Sequence, residues 1–367
     1  MTERVYNFSA GPATLPLAVL AEAQRDLRTL PGVGAGPLEV SHRSPWFRGV
    51  IGEAEANLRR LLTIPDTHHV LFCQGGASLQ FSMVAMNLLR GTERPAGYVI
   101  TGAWGTKALA EAAKEGDARA VWSGADNAFV TVPSARELAS AVSAGAVYIH
   151  VTTNETIQGV QFPDDPPAPA GVPLVADMSS DFCSRPVDVG RYTLIYAGAQ
   201  KNAGPAGVAV AIVGDDVLAG APHGLPTMLD YRTYAEHGSL YNTPPVFSIY
   251  VLMLVTRWLL NDVGGLEAQR ATNRAKAELV YGAIDASGGF YRGHARPEAR
   301  SLMNVTWRLP DEDLERTFVA EAAEAGMTEL KGHRSVGGIR ASLYNAMPLD
   351  GARALADFMT AFAARHA

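Results

Sequence analysis

The chain has 367 residues, of which 47% are apolar and 19% charged, and a formal net charge of −6. That length favours two domains, with enough apolar matter for a sizeable core. The acidic balance argues against a nucleic-acid binder or a membrane-surface protein, so an anionic ligand has to be held by local cations.

The opening stretch, MTERVYNFSAGPATLP, holds no apolar run of the kind a secretory signal needs. There are two cysteines, Cys73 and Cys183, and no zinc-ligand spacing, which fits the reducing cytoplasm. Strand and helix signals then alternate. VLFC (70–73) leads into GGASLQFSMVAMNLL, a helical apolar pattern, and GYVIT (97–101) leads into the alanine-rich AWGTKALAEAAKEG. VYIHVT (147–152), PLVADMSS (173–180) and TLIYAG (193–198) are short apolar runs, as expected of strands covered on both faces. Repeated strand–turn–helix units predict a mainly parallel sheet, and GVAVAIVG (207–214) is placed to pair antiparallel with the strand before it. PDDPPAPAGVP (163–173) reads as a stiff surface loop. VFSIYVLMLVTRWLL carries Arg257 and is too short for a membrane span, so it is expected as a buried helix. Beyond it, GLEAQRATNRAKAELVYGAID, SLMNVTWRL, DLERTFVAEAAEAG, GGIRASLY and DGARALADFMTAFAARHA read as helix, strand, helix, strand, helix. The expectation is an α/β protein with a large domain over 17–261 and a small α+β domain formed by 1–16 and 262–367.

Lys201 stands just after TLIYAG, in a run of glycine, alanine and proline. A long cation there is a phosphate binder, a Schiff-base nucleophile or a solvated side chain. QGGAS (74–78) ends one strand and opens a helix, offering backbone amides to a phosphate or merely making a tight turn. Asp177 ends another strand, at the edge where open α/β sheets bind ligands; it is either half of a structural ion pair or the partner of a pyridinium nitrogen. Trp104 begins a helix, suited to lie on a flat cofactor or to pack in the core. Thr156, in the polar cluster TTNETIQG, offers a hydroxyl or makes a turn. Together, at successive strand ends, they describe a site for pyridoxal phosphate.

Over nearly its whole length the chain also carries NFSAGPATLP, EVSHR (39–43), LFCQGGASLQF, NETIQG, VADMSS, YAGAQKNAGPAG, LYNTPP (240–245) and KGHRSVGGIRASLYNAMP (331–348). With these motifs it resembles the phosphoserine aminotransferase family, class V pyridoxal-phosphate enzymes of fold type I. The resemblance implies a seven-stranded, mainly parallel sheet and a cytoplasmic homodimer with shared active sites. It implies transamination between L-glutamate and 3-phosphohydroxypyruvate, giving O-phospho-L-serine and 2-oxoglutarate in serine biosynthesis. Some bacterial members also serve pyridoxine biosynthesis. Lys201 would carry the cofactor and shuttle the proton, with Asp177 on the ring nitrogen, Trp104 on the ring face and Thr156 on the ring hydroxyl. Ala77, Ser78 and Gln200 would hold the cofactor phosphate, joined by Asn242 and Thr243 from the other subunit. Arg340 would clamp the substrate α-carboxylate, with Ser9 close by. His42 and Arg43 would meet the substrate phosphate or the distal carboxylate of glutamate, and His333 and Arg334 would add charge across the dimer interface. Ser78 departs from those members that carry arginine there.

Two other readings share part of this pattern. A cysteine desulfurase or an alanine–glyoxylate aminotransferase would use the same cofactor site, but the first needs a cysteine on a mobile loop and the second does not need the extra cations. A cofactor-free phosphate-binding protein would use QGGAS and the basic residues as an anion cradle and would be colourless.

Overall fold

The computed structural model describes residues 4–142 and 145–366. It opens with strand β1 (Tyr6–Asn7) and helices α1 (Leu17–Asp26) and α2 (Pro45–Leu62). Next come β2 (His68–Cys73), α3 (Gly76–Leu88), β3 (Ala96–Ile100), α4 (Ala103–Ala112), β4 (Ala118–Ser123), α5 (Ala135–Ala141) and β5 (Ile149–Thr152). A small hairpin, β6 (Asn154–Glu155) and β7 (Val160–Gln161), precedes β8 (Leu174–Asp177), β9 (Leu194–Gly198) and β10 (Ala209–Gly214). Helices α6 (Asp215–Gly220), α7 (Tyr231–Glu236), α8 (Val246–Asn261) and α9 (Leu266–Asp285) follow. The chain closes with β11 (Arg292–Gly293), β12 (Asn304–Arg308), α10 (Glu312–Glu324), β13 (Met327–Thr328), β14 (Ile339–Ser342) and α11 (Leu349–His366).

The central sheet has seven strands in the order β2-β10-β9-β8-β5-β3-β4. Only β10 runs against its neighbours, as its closeness to β9 in sequence predicts. The carboxyl ends of β2, β3, β5, β8 and β9 therefore meet at one edge of the sheet. The strands β5, β8 and β9 are buried at every position, which is why they read as continuous apolar runs. One of the sheet strands, β4, gave no such pattern. It lies at the sheet edge, pairs only with β3 and is half-exposed, so its sequence ARAVWS has no buried face to advertise.

Helix α2 packs on α8. Ser44 caps α2 by accepting from Phe47 N, Pro45 takes the first helical position, and Phe47, Val50, Ile51, Ala54, Leu58, Leu61 and Leu62 form its buried stripe. Helix α8 is apolar nearly all round because it is buried, from Ile249 through Val255 to Leu259. Each such leucine contributes about 1.5–3 kcal/mol by leaving water. Arg257, the one cation of this helix, reaches outward to fork Glu53 (2.8 and 2.9 Å) and to meet Glu22 (3.2 Å). Among the described residues no single helix is long and apolar enough to cross a membrane.

A separate core forms around β12 and β14, where Tyr291, Trp307, Phe318 and Phe362 pack edge to face beneath α9, α10 and α11. The N-terminal segment is sewn into it. Here β1 pairs parallel with β13, and Phe8 is buried in the same cluster. That anchoring carries residues 9–13 back over the edge of the large sheet, where Ala13 N donates to Gln200 O (2.9 Å).

Candidate active site

Lys201 lies three residues past the end of β9. The N-terminal segment crosses directly over its stem, and α8 presses on the turn that follows, where a Cβ on Gly204 would sit 3.3 Å from Leu252 Cα. A Cβ on Gly11, whose φ is +129°, would sit 3.3 Å from Lys201 Cγ. Lys201 Nζ donates to Thr156 Oγ1 (2.6 Å) and stands 5.5 Å from the centre of the Trp104 ring. Burial pushes its pKa down to about 8; Arg340 adds to that push, while Asp177 and Glu155 oppose it.

Asp177 closes β8, between β5 and β9, with Thr152 and Tyr196 opposite it in register. It is 4% exposed. Its Oδ1 accepts from Ser179 N (2.8 Å), and no cation pairs with it among the described residues. Burial raises its pKa, opposed by the Ser179 hydrogen bonds and by Lys201. A carboxylate kept in this state is short of a positive partner.

Both groups open onto a cavity of about 320 Å³. Its walls include Ala10 and Gly11, Gly76, Ala77 and Ser78 from the start of α3, Trp104 from α4, and Thr152, Asn154, Thr156 and Ile157 after β5. Asp177, Ser179, Ser180, Gln200, Lys201, His333 and Arg340 complete them. Three polar atoms of this wall, Thr152 Oγ1, Trp104 Nε1 and Arg340 Nε, are buried without a partner. Burial lowers the pKa of Arg340 and also that of His333, on which Arg340, Arg334 and Lys107 act in the same direction.

The expected site residues thus fall into two groups. Lys201, Asp177, Trp104, Thr156, Ala77, Ser78, Gln200, His333 and Arg340 surround one cavity. Ser9, His42, Arg43, Asn242, Thr243 and Arg334 do not line it. Ser9 stands one residue outside, its Oγ accepting from Gly11 N (3.3 Å). His42 is buried with an unpartnered Nε2, and Arg43, Asn242, Thr243 and Arg334 are exposed. Thr243 O accepts from Gln74 Nε2 (3.2 Å), which ties that segment beside the glycine turn before α3.

Sequence reasoning missed Glu155 and Ser179. Glu155 is fully buried, and its carboxylate accepts from Trp104 N (3.0 Å) and Gly105 N (2.9 Å). The signal was a lone acid inside NETIQG, unremarkable until the fold places it beneath α4. Both cysteines are buried, and burial raises both thiols, Cys73 to about 12. Neither is the exposed loop thiolate that a desulfurase requires.

The residues present suit pyridoxal phosphate. The cavity has an amine for its aldehyde, an unpaired carboxylate for its ring nitrogen, an indole beside the amine, and the opening amides of α3 for its phosphate.

Known proteins agree with this chemistry. Residues 5–355 match the family described as aminotransferase class-V. The phosphoserine aminotransferase of Laribacter hongkongensis is 54% identical, covering 99% of each chain. The structure of the phosphoserine aminotransferase of Bacillus circulans subsp. alkalophilus superposes with a TM-score of 0.96 at 48% identity, covering 100% of each chain. The pyridoxal-phosphate-bound phosphoserine aminotransferase of Trichomonas vaginalis superposes with a TM-score of 0.90 at 38% identity, covering 97% of this chain and 99% of its own. The chain belongs to the class-V aminotransferase family, within its phosphoserine aminotransferases.

Proposed function

We propose that the protein transaminates between L-glutamate and 3-phosphohydroxypyruvate, forming O-phospho-L-serine and 2-oxoglutarate, with pyridoxal phosphate held at Lys201. The observation that carries this reading is the amine of the half-buried Lys201, lining one cavity with Asp177, Trp104 and Arg340. When bound, the cofactor supplies the electron sink for the α-carbon and the carrier for the amino group.

The protein's own residues do the rest. At pH 7.5 an amine of pKa about 8 is neutral roughly two hundred times more often than an ordinary lysine, so Lys201 is ready to attack an aldehyde. The same amine would move the proton at the substrate α-carbon. Thr156 aims the amine, and Asp177 holds a proton on the ring nitrogen. The opening amides of α3, with Ser78 and Gln200, hold the cofactor phosphate. Arg340 presents its guanidinium, including the unpartnered Nε, to the substrate carboxylate.

The protein is placed in the cytoplasm as a homodimer whose two chains complete each other's sites, and five residues off the cavity, His42, Arg43, Asn242, Thr243 and Arg334, support that sharing. Three of the segments that carry them also expose a large apolar side chain: Leu38 (66%) before His42 and Arg43, Tyr241 (49%) before Asn242 and Thr243, and Val336 (41%) after Arg334. Apolar exposure beside unmatched cations and polar groups is what a shared interface leaves on one subunit. The cavity lies between two lobes, which we assign to residues 17–261 and to 1–16 with 262–367.

A half-reaction panel tests the substrate assignment. The loaded protein is mixed in turn with glutamate, phosphoserine, alanine and serine while its visible absorbance is followed. Glutamate and phosphoserine are expected to bleach the band at low concentration, and alanine and serine only at far higher ones. Equal response to serine and phosphoserine would remove the phosphate from the assignment.

A further inference from the structure

The indole of Trp104 is a wide plate on the second residue of a helix, a place where helix ends fray. What holds it is the buried turn after β5, which packs directly against the start of α4. Glu155 Oε2 accepts from Trp104 N (3.0 Å), Glu155 Oε1 from Gly105 N (2.9 Å), and Gln158 Oε1 from Ala103 N (3.3 Å). The first three amides of α4 are thus all taken by the turn after β5. Their approach is close enough to demand glycine at 102, where a Cβ would sit 2.5 Å from Gln158 Oε1 and 2.6 Å from Glu155 Cδ. The φ of Gly102 is extended, so the requirement is one of space.

We propose that Glu155 is a positioning residue: its carboxylate clamps the first turn of α4 and so fixes the Trp104 ring against the cofactor. This rests on the reading that Trp104 covers the cofactor ring. The clamp joins two parts of the site. Glu155 directly precedes Thr156, whose hydroxyl receives the Lys201 amine, so one turn aims both the lysine and the indole. A negative group at a helix N-terminus is also favoured by the helix dipole.

The clamp is titratable in the working range. Burial raises the pKa of Glu155 to about 7, against the pull of the two amides. Of the charges facing it, Asp177 on β8 raises it further and Lys201 after β9 lowers it; Lys107 of α4 lies 4.3 Å from the centre of the Trp104 ring. As pH falls through that value the carboxyl gains a proton and loses one of its two acceptor oxygens. The first turn of α4 is then held at fewer points.

The test uses the full chain, first without cofactor. Amide hydrogen exchange at Trp104 and Gly105 is expected to speed up at least about tenfold in Glu155→Ala, with the isosteric Glu155→Gln in between. Trp104 fluorescence, taken as the difference from Trp104→Phe, is expected to change with pH through a midpoint near 7 in the wild type. The component near 7 should vanish in Glu155→Gln, leaving only what Lys201, 5.5 Å from the ring, contributes near 8. Loaded with pyridoxal phosphate, Glu155→Gln should lower kcat several-fold with a smaller change in KM. Unchanged exchange at both amides in both variants would overturn the proposal, as would a fluorescence step whose midpoint and amplitude are the same in Glu155→Gln as in the wild type. Faster exchange together with a Trp104→Ala enzyme of normal cofactor affinity would support the clamp and overturn the placement of Trp104 on the ring.

Discussion

Burial lowers the pKa of two lysines among the described residues, and only one of them is at the site. Lys201 ends in a cavity with a single hydroxyl partner, Thr156. Lys276, in α9, has no exposed surface and donates to Leu343 O and Tyr344 O, both at 2.7 Å, with Asn345 O at 3.5 Å. Burial lowers both pKa values, to about 8 and about 7. A depressed pKa therefore does not by itself mark the reactive amine. Lys276 spends its donors on the stretch that follows β14, and as a neutral amine it still has two N–H groups for its two short bonds. That stretch is a junction: Asn345 N donates to Asn202 Oδ1 (2.9 Å), next to Lys201, and Tyr344 OH donates to Ala10 O (3.0 Å). One lysine has unused valence and room for a ligand; the other is a structural tie.

The comparison breaks most sharply on activity. Lys201→Ala is expected to lose at least about a thousandfold in turnover, having lost both the tether and the base, with its fold intact. Steady-state kinetics with a matching circular dichroism spectrum checks this. Asp177→Asn keeps the shape but not the charge, and should cost about 10²–10³ in kcat. Hybrids between Lys201→Ala and Arg43→Ala subunits sharpen the dimer reading. If Arg43 serves its partner's cavity, one site in each hybrid is whole, and random mixing restores about a quarter of wild-type activity. If it serves its own, mixing restores none.

Lys276 is expected to speak through stability instead. Lys276→Met leaves buried carbonyls without donors and should cost about 1–3 kcal/mol for each, read by denaturant unfolding. Its pH dependence has a definite sign. With a folded pKa near 7 and an unfolded value near 10.4, Lys276 binds more protons in the unfolded chain across that window, so its contribution to stability rises with pH from about 7 to about 10. The slope between pH 7 and 8 should flatten in Lys276→Met; above that, Lys201 still adds to the rise and the raised thiols of Cys73 and Cys183 oppose it.

Much of this was legible before folding. The inner strands declared themselves because burial on both faces demands apolar runs, and Asp177, Thr156 and Lys201 stood out because each interrupts or follows such a run. Strand β4 did not, being an edge. Glu155 did not, because its meaning lies in the amides of a helix some 50 residues earlier, a pairing that only the sheet order creates. Lys276 looked like any lysine on an amphipathic helix, since its acceptors are carbonyls, which no side-chain pattern reveals. His42, Arg43, Asn242, Thr243 and Arg334 came from resemblance alone, and none of them lines the cavity of the single chain.

The most direct measurement is to reduce the loaded protein with borohydride, digest it, and locate the pyridoxyl group by mass spectrometry. The account predicts the modification on Lys201 alone, with Lys276 untouched. A reduced protein that carries the group on another lysine, or carries none, would contradict it.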